Sequence, residues 1–436
     1  MQISFGSGSG NGGGPGFRLP ALRSLTSQSF EWTGGPEVSA WIWVAVMLLA
    51  TLVIPWPYAQ FQWPLLERAV PVLWMVAGGV ALVCLRVSRA SWPFAALIFW
   101  AGLRAMYHYF PLRSLQVLLL VLMAGLLYAA ARDLTDRGAR LAAYAVLAGV
   151  GFEAILGAMN AMRLYPWMGW IDPQHIGKPM GMLTHPNYWG SFMALGLPLV
   201  WAVLGVPAAI LLFLLTLRTI SPGPVISAAV GALVMAWPLF GKRVRGAILV
   251  IGGASIGTVL TMHEWRLSGR REVWDVAVTE VMRWPILGEG LGQWRQWAED
   301  YNKGIGKFFV TLQAHNEPLQ LWFELGLIGV ILVGLWAFQA FLAAKTVWSA
   351  APAATLPGPT YLWGRAPLER AWPAVVAVAV VNSLGSPVFH LPAQAMVAML
   401  ALARMQADAA AFQSVPTESR SVQRRKKAMR KETVDA

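Results

Sequence analysis

LQLWFELGLIGVILVGLWAFQAFLA, residues 319–343, is the stretch that decides the fold, because across its whole length Glu324 is the one ionisable side chain. A helix rises about 1.5 Å per residue, so roughly 20 residues cross the ~30 Å hydrocarbon core of a bilayer. No water is present there to satisfy backbone N–H and C=O groups, which leaves the helix as the natural spanning form. Working outward, runs of the same kind recur near 38–54, 70–86, 92–109, 114–131, 141–162, 189–204, 206–221, 224–240 and 246–262. Beyond it they recur near 372–388 and 390–407. The pattern predicts an all-α fold, a polytopic transmembrane helical bundle of about twelve spans. A long external loop is expected between the ninth and tenth.

Composition agrees. The 436 residues are 57% hydrophobic and 13% charged, with positive mean hydropathy, which excludes an ordinary water-soluble domain. The net charge of +13 raises the question of nucleic acid, but its distribution answers against that partner. The basic residues from Arg404 to Lys431 include the run Arg424, Arg425, Lys426 and Lys427, and the others sit mostly in short loops. Such a tail suits anionic lipid at a cytoplasmic surface. Residues 1–37 read as a flexible Gly-rich cytoplasmic N-terminus carrying GSGSGNGGGPG, with no cleavable signal peptide expected. Residues 38–407 form the transmembrane domain, and 408–436 the basic cytoplasmic tail. The single Cys84 rules out an intrachain disulfide.

Loop charge orients the bundle. With cytoplasmic termini, the inner loops hold Arg86, Arg89, Arg132, Arg137, Arg140, Lys242, Arg243, Arg245, Lys345, Arg365 and Arg370. The short outer loops hold Arg68, Arg113, Arg163 and Lys178. The positive-inside rule therefore places both termini in the cytoplasm. Many of the 23 tryptophans, among them Trp41, Trp56, Trp63, Trp92 and Trp189, fall near span ends and read as an interfacial belt.

Two external segments are long, about 163–188 and 263–318, and loops of that length on a rigid bundle are where function concentrates. In the second, Trp274, Ala277, Val278 and Val281 recur at helical spacing, which predicts a helix lying along the membrane surface and ended by Pro285 and Gly288. Its basic and acidic residues nearly balance, so an anion site there must be local. GEGLG, 288–292, follows a proline rather than a strand and reads as a glycine-rich turn, not a dinucleotide loop.

QAHNEPLQLWFELGLIG (313–329), SGRREVW (268–274) with RWPILGEGLG, GMLTHPNYWGSFM (181–193) and SPVFHLPAQAMVAML (386–400) stand in an order and topology that resemble the O-antigen ligase and polymerase superfamily. The resemblance covers roughly residues 180–400. It departs at Ser221, Pro222, Gly223, where family members often carry Ser-Arg-Gly; Arg218 lies one turn earlier.

This likeness implies a metal-independent glycosyltransferase with no cofactor, in a bacterial inner membrane. It would act on the periplasmic face and move a glycan from undecaprenyl diphosphate to lipid A-core or to a growing glycan. His315 is then the base or orienting group for the acceptor hydroxyl, since imidazole titrates near neutrality. Arg270, with Arg218 second, suits the leaving diphosphate, because a guanidinium fork matches phosphate oxygens. Asn187, Asn316 and Glu324 complete the expected binding set. Arg104, His175, His185, Arg271 and His390 read as structural. A secondary transporter or lipid-linked glycan flippase is the alternative from another class, and an inactive scaffold of a polysaccharide machine is a third.

Overall fold

The computed structural model describes residues 91–106, 111–164, 177–183, 185–241, 243–247, 270–305, 314–350, 368–385 and 392–414. Among these the regular structure is all helical, with no strand. Numbered in order along the described chain, the helices are α1 (Trp92–Met106), α2 (Pro111–Arg132), α3 (Asp136–Ala161), α4 (Pro186–Leu204), α5 (Val206–Leu217) and α6 (Pro222–Ala236). They continue with α7 (Arg270–Val281), α8 (Gln293–Gly304), α9 (Glu317–Ala350), α10 (Leu368–Ser383) and α11 (Pro392–Ser414).

Local chemistry sets the boundaries. Thr135 caps α3 by accepting from the Gly138 N–H at 3.2 Å, with Asp136 favourable in the first turn. Gly205, at φ 95°, parts α4 from α5. Ile220 at φ 55° and the Ser221–Pro222 step part α5 from α6. Helix α4 is the hub, buried along nearly its whole length and packed against α3, α5, α6 and α10. Much of the core is alanine: Ala142, Ala143, Ala194, Ala228, Ala371, Ala374, Ala401 and Ala403 are all but inaccessible. Small side chains let apolar helices approach closely where hydrophobicity alone gives no drive toward association.

Four described helices are long and apolar enough to cross a bilayer: α3, α4, α9 and Ala393–Ser414 of α11. The expectation of about twelve is thus met in part. The stretches 38–54, 70–86 and most of 246–262 lie outside the described residues, as do 1–37, 415–436, Cys84, His175 and His390. Helices α5 and α6 are apolar but only 12 and 15 residues long, so a straight crossing is beyond them. Proline and glycine at 205–207 and 221–224 bound α5, while α6 begins at Pro222 and gives way at Trp237–Leu239 to a 3-10 turn containing Pro238. Helix α11 runs on to Ser414, past the expected end at 407, because residues 408–414 keep helix-forming alanines.

Three further expectations are corrected. The deciding stretch is helical but not continuous, since α9 breaks at Gly326 (φ 67°, ψ −172°). Trp189 is no interfacial residue; it is fully buried against Gly157 and donates its indole N–H to the Glu153 carbonyl at 2.8 Å. The segment 263–318, expected to be an external loop with a surface helix, is where described folded against other helices. Val273, Ala277 and Val281 of α7 join Trp294, Ala298, Ala314 and Phe323 in a small core of their own, while Val278 is exposed. The stripe turns toward protein because α8 and the head of α9 supply an apolar partner for it.

Long-range hydrogen bonds tie helix ends together. Ser91 donates to Gln339, and Tyr128 pairs with Gln406. Arg404 reaches the Leu134 carbonyl and, at 2.7 Å, the Asp408 carboxylate. At the opposite ends, Asn382 Oδ1 accepts from Ser191 Oγ at 3.2 Å and Ser227 Oγ at 3.1 Å, and Gln394 donates to the Tyr188 carbonyl at 2.8 Å.

Candidate functional site

The break in α9 organises the first half of the site. Where the helix opens, residues 285–290 fold against it. The Phe323 carbonyl accepts from the Glu289 N–H at 2.7 Å and the Glu324 carbonyl from the Gly290 N–H at 3.1 Å. In return the Leu327 N–H donates to the Pro285 carbonyl at 2.9 Å. Trp322 adds its indole N–H to the same Pro285 carbonyl at 3.0 Å. The approach is backbone against backbone: a Cβ on Gly288 would fall on the Gly326 amide, and one on Gly326 on the Ile286 carbonyl. Both glycines also have positive φ, so the crossing needs glycine twice.

GEGLG is therefore a turn, and a buried one. Arg104 of α1 donates to the Gly288 carbonyl at 2.7 Å, and Ser114 of α2 to the Leu291 carbonyl at 2.8 Å. Glu324 closes it from α9. Its Oε2 accepts from the Gly292 N–H at 2.8 Å and its Oε1 from Gln320 Nε2 at 3.0 Å, while Gln320 Oε1 accepts from the Ala314 N–H at 3.1 Å. A buried carboxylate needs such donors to be tolerated. Arg104 thus ties α1 to the backbone of this turn.

His315 follows Ala314 directly. It is half-buried and left-handed (φ 52°), a conformation uncommon for a residue with a Cβ. Asn316 starts α9, its Oδ1 accepting from the Leu319 N–H at 3.0 Å and its carbonyl from the Gln320 N–H at 3.0 Å. Arg270 is the first residue of α7, one turn before Trp274. Trp274 donates its indole N–H to the Ala314 carbonyl at 2.8 Å. That bond joins the helix that Arg270 opens to the residue beside His315. The charges nearby are largely matched within their own helices: Arg295 with Glu299 at 3.1 Å and Lys303 with Asp300 at 3.5 Å.

The remaining two candidates stand in a second cluster. Asn187 is the second residue of α4 and does not cap it; His185 does, its Nδ1 accepting from the Asn187 N–H at 3.1 Å. One turn on, Gly190 packs against Thr219 and Pro224, so the head of α4 meets the α5–α6 connection. Arg218 is exposed at the C-terminal cap of α5, beside buried Thr219 and Ser221. Pro222 occupies the first turn of α6, where its missing N–H costs nothing.

Sequence reasoning missed two groups here. Asn382, with Ser191 and Ser227, forms a buried polar triad linking α10, α4 and α6. Glu153 lies fully buried in α3, its Oε2 accepting from the Met182 N–H at 3.0 Å, so that it anchors the turn just before His185. Asn160 holds the same turn by accepting from the Gly181 N–H at 2.8 Å. A single acid in the apolar run GFEAILG was signal enough to find Glu153. Compared with models of known families and with curated proteins, the chain matches none.

Proposed function

We propose that this chain is a periplasmic-face glycosyltransferase of the O-antigen ligase and polymerase type, passing a glycan from undecaprenyl diphosphate to lipid A-core or to a glycan acceptor. The observation that carries the reading is the Trp274–Ala314 hydrogen bond, which ties α7, the helix that Arg270 opens, to the residue preceding His315. An arginine for the diphosphate and an imidazole for the acceptor hydroxyl are the two groups the transfer needs. Holding their segments at the ends of packed helices limits their misplacement.

The bonds between helix ends support the alternation of spans on which the periplasmic placement rests. Ser91 with Gln339, Tyr128 with Gln406 and Leu134 with Arg404 all join ends that loop charge assigns to the cytoplasm. Ser191 with Asn382 and Tyr188 with Gln394 join ends it assigns to the periplasm. The site residues fall at the second set of ends. Arg218 takes the second phosphate-binding role, and Asn187, Asn316 and Glu324 shape the surroundings.

The test is transfer in vitro from a purified undecaprenyl diphosphate glycan, comparing the natural protein with His315→Ala and Arg270→Ala at equal folded expression. The expected outcome is product with the natural protein and a loss of about 10² to 10⁴ in rate with His315→Ala. Elongation of lipid-linked repeats without lipid A-core would select the polymerase over the ligase. Substrate-driven ion flux in liposomes with no glycan product would replace the enzyme by a transporter.

A further inference from the structure

A cavity of about 290 Å³ opens at the other end of the bundle, lined by the start of α3, the end of α4, the start of α10 and the end of α11. Arg404 and Asp408 form its floor, both more than nine-tenths buried and bonded at 2.7 Å. Among the described residues Arg404 Nε and Asp408 Oδ2 have no hydrogen-bond partner. Asp136, Arg140 and Glu369 stand exposed at the rim. Tyr144 and Trp372 form the walls, Tyr144 half exposed and Trp372 buried.

We propose that this cavity binds the phosphoethanolamine headgroup of a membrane lipid. The ligand class follows from charge. Arg404 is bonded to Asp408 at 2.7 Å and also reaches Asp136 at 3.5 Å, leaving Arg140 opposite Glu369 and the exposed side of Asp136. A simple phosphate would face two carboxylates, and a simple ammonium would face the arginine. A phosphate and a primary ammonium two carbons apart satisfy both, the first on Arg140 and the second on the rim carboxylates. An ammonium with N–H donors fits better than a trimethylated one, which cannot hydrogen-bond to them.

The source is a lipid because of what runs away from the rim. Arg140 begins a line of exposed residues on α3, continuing through Tyr144, Ala148, Phe152 and Ile155 at helical spacing. In a spanning helix that apolar line faces hydrocarbon, and acyl chains would lie along it with the headgroup at its charged end. The inference rests on the membrane location of the chain, not on glycan transfer, so either can fail without the other.

Native mass spectrometry of the full-length protein, delipidated in detergent, is the test. Phosphatidylethanolamine, phosphatidylglycerol and phosphatidylcholine are added separately, and free phosphoethanolamine as competitor. One retained phosphatidylethanolamine is expected, preferred about tenfold over the other two lipids, with free phosphoethanolamine displacing it only at large excess. Arg140→Gln and Glu369→Gln, both at exposed positions, should each abolish the preference while leaving Tm unchanged. Equal retention of all three lipids overturns the proposal, as does a preference that survives both substitutions. Displacement by free phosphoethanolamine at equal concentration removes the lipid as the source.

Discussion

His315 and Gly288 show how differently two backbone positions of the same handedness are used. At His315 the left-handed backbone carries the side chain to which the proposed transfer assigns the acceptor hydroxyl, and His315→Asn should keep Tm, since asparagine tolerates that region, while transfer falls as far as with His315→Ala. At Gly288 the space is closed by the α9 backbone, so Gly288→Ala should destabilise by about 3 kcal/mol, measured as a fall in Tm with unchanged helix content. GEGLG was legible in the sequence as a turn, because proline and glycine mark turns locally. Its partner, Gly326, was not: an isolated glycine within LGLIG reads as a tolerated helical residue, and only a contact 38 positions away in sequence gives it another use.

Among the elements, α7 carries the clearest lesson. Its period was legible and its environment was not, since Val273, Ala277 and Val281 suit lipid as well as they suit Trp294 and Phe323. The resemblance put Arg270 and His315 in one site, but nothing in the spacing from 270 to 315 specifies the Trp274–Ala314 bond that brings their segments together. Trp274→Phe keeps the ring and removes the donor, leaving the Ala314 carbonyl short of a partner at a cost of about 1–3 kcal/mol. Faster hydrogen exchange across α7 is expected, with transfer reduced but not abolished. No change in either measurement would detach this bond from the site.

For the molecule as a whole, hydropathy carried the all-helical class and loop charge gives an expected orientation, whereas the short α5 and α6 and the interrupted α9 depended on proline, glycine and long-range contacts that hydropathy averages away. Orientation has a direct check. After Cys84→Ser, Arg137→Cys and Lys303→Cys lie at exposed positions expected on opposite sides. A membrane-impermeant maleimide applied to right-side-out spheroplasts should label Lys303→Cys alone, and in inverted vesicles Arg137→Cys alone. The reverse pattern turns the bundle over and puts the candidate site in the cytoplasm.

The break at Gly326 also gives α9 two hydrogen-bonding solutions. Were the helix straight, Leu327 and Ile328 would donate to Phe323 and Glu324, four residues back. In the structure those two carbonyls accept instead from Glu289 and Gly290, and the two amides donate to Pro285 and Ile286. Two bonds are exchanged for four, and none of the groups is left bare. During synthesis residues 285–290 leave the ribosome first, so their strand of donors and acceptors already exists when 323–328 emerges. A chain lacking that segment would still form a helix through Gly326, but an uninterrupted one, aimed along a different axis.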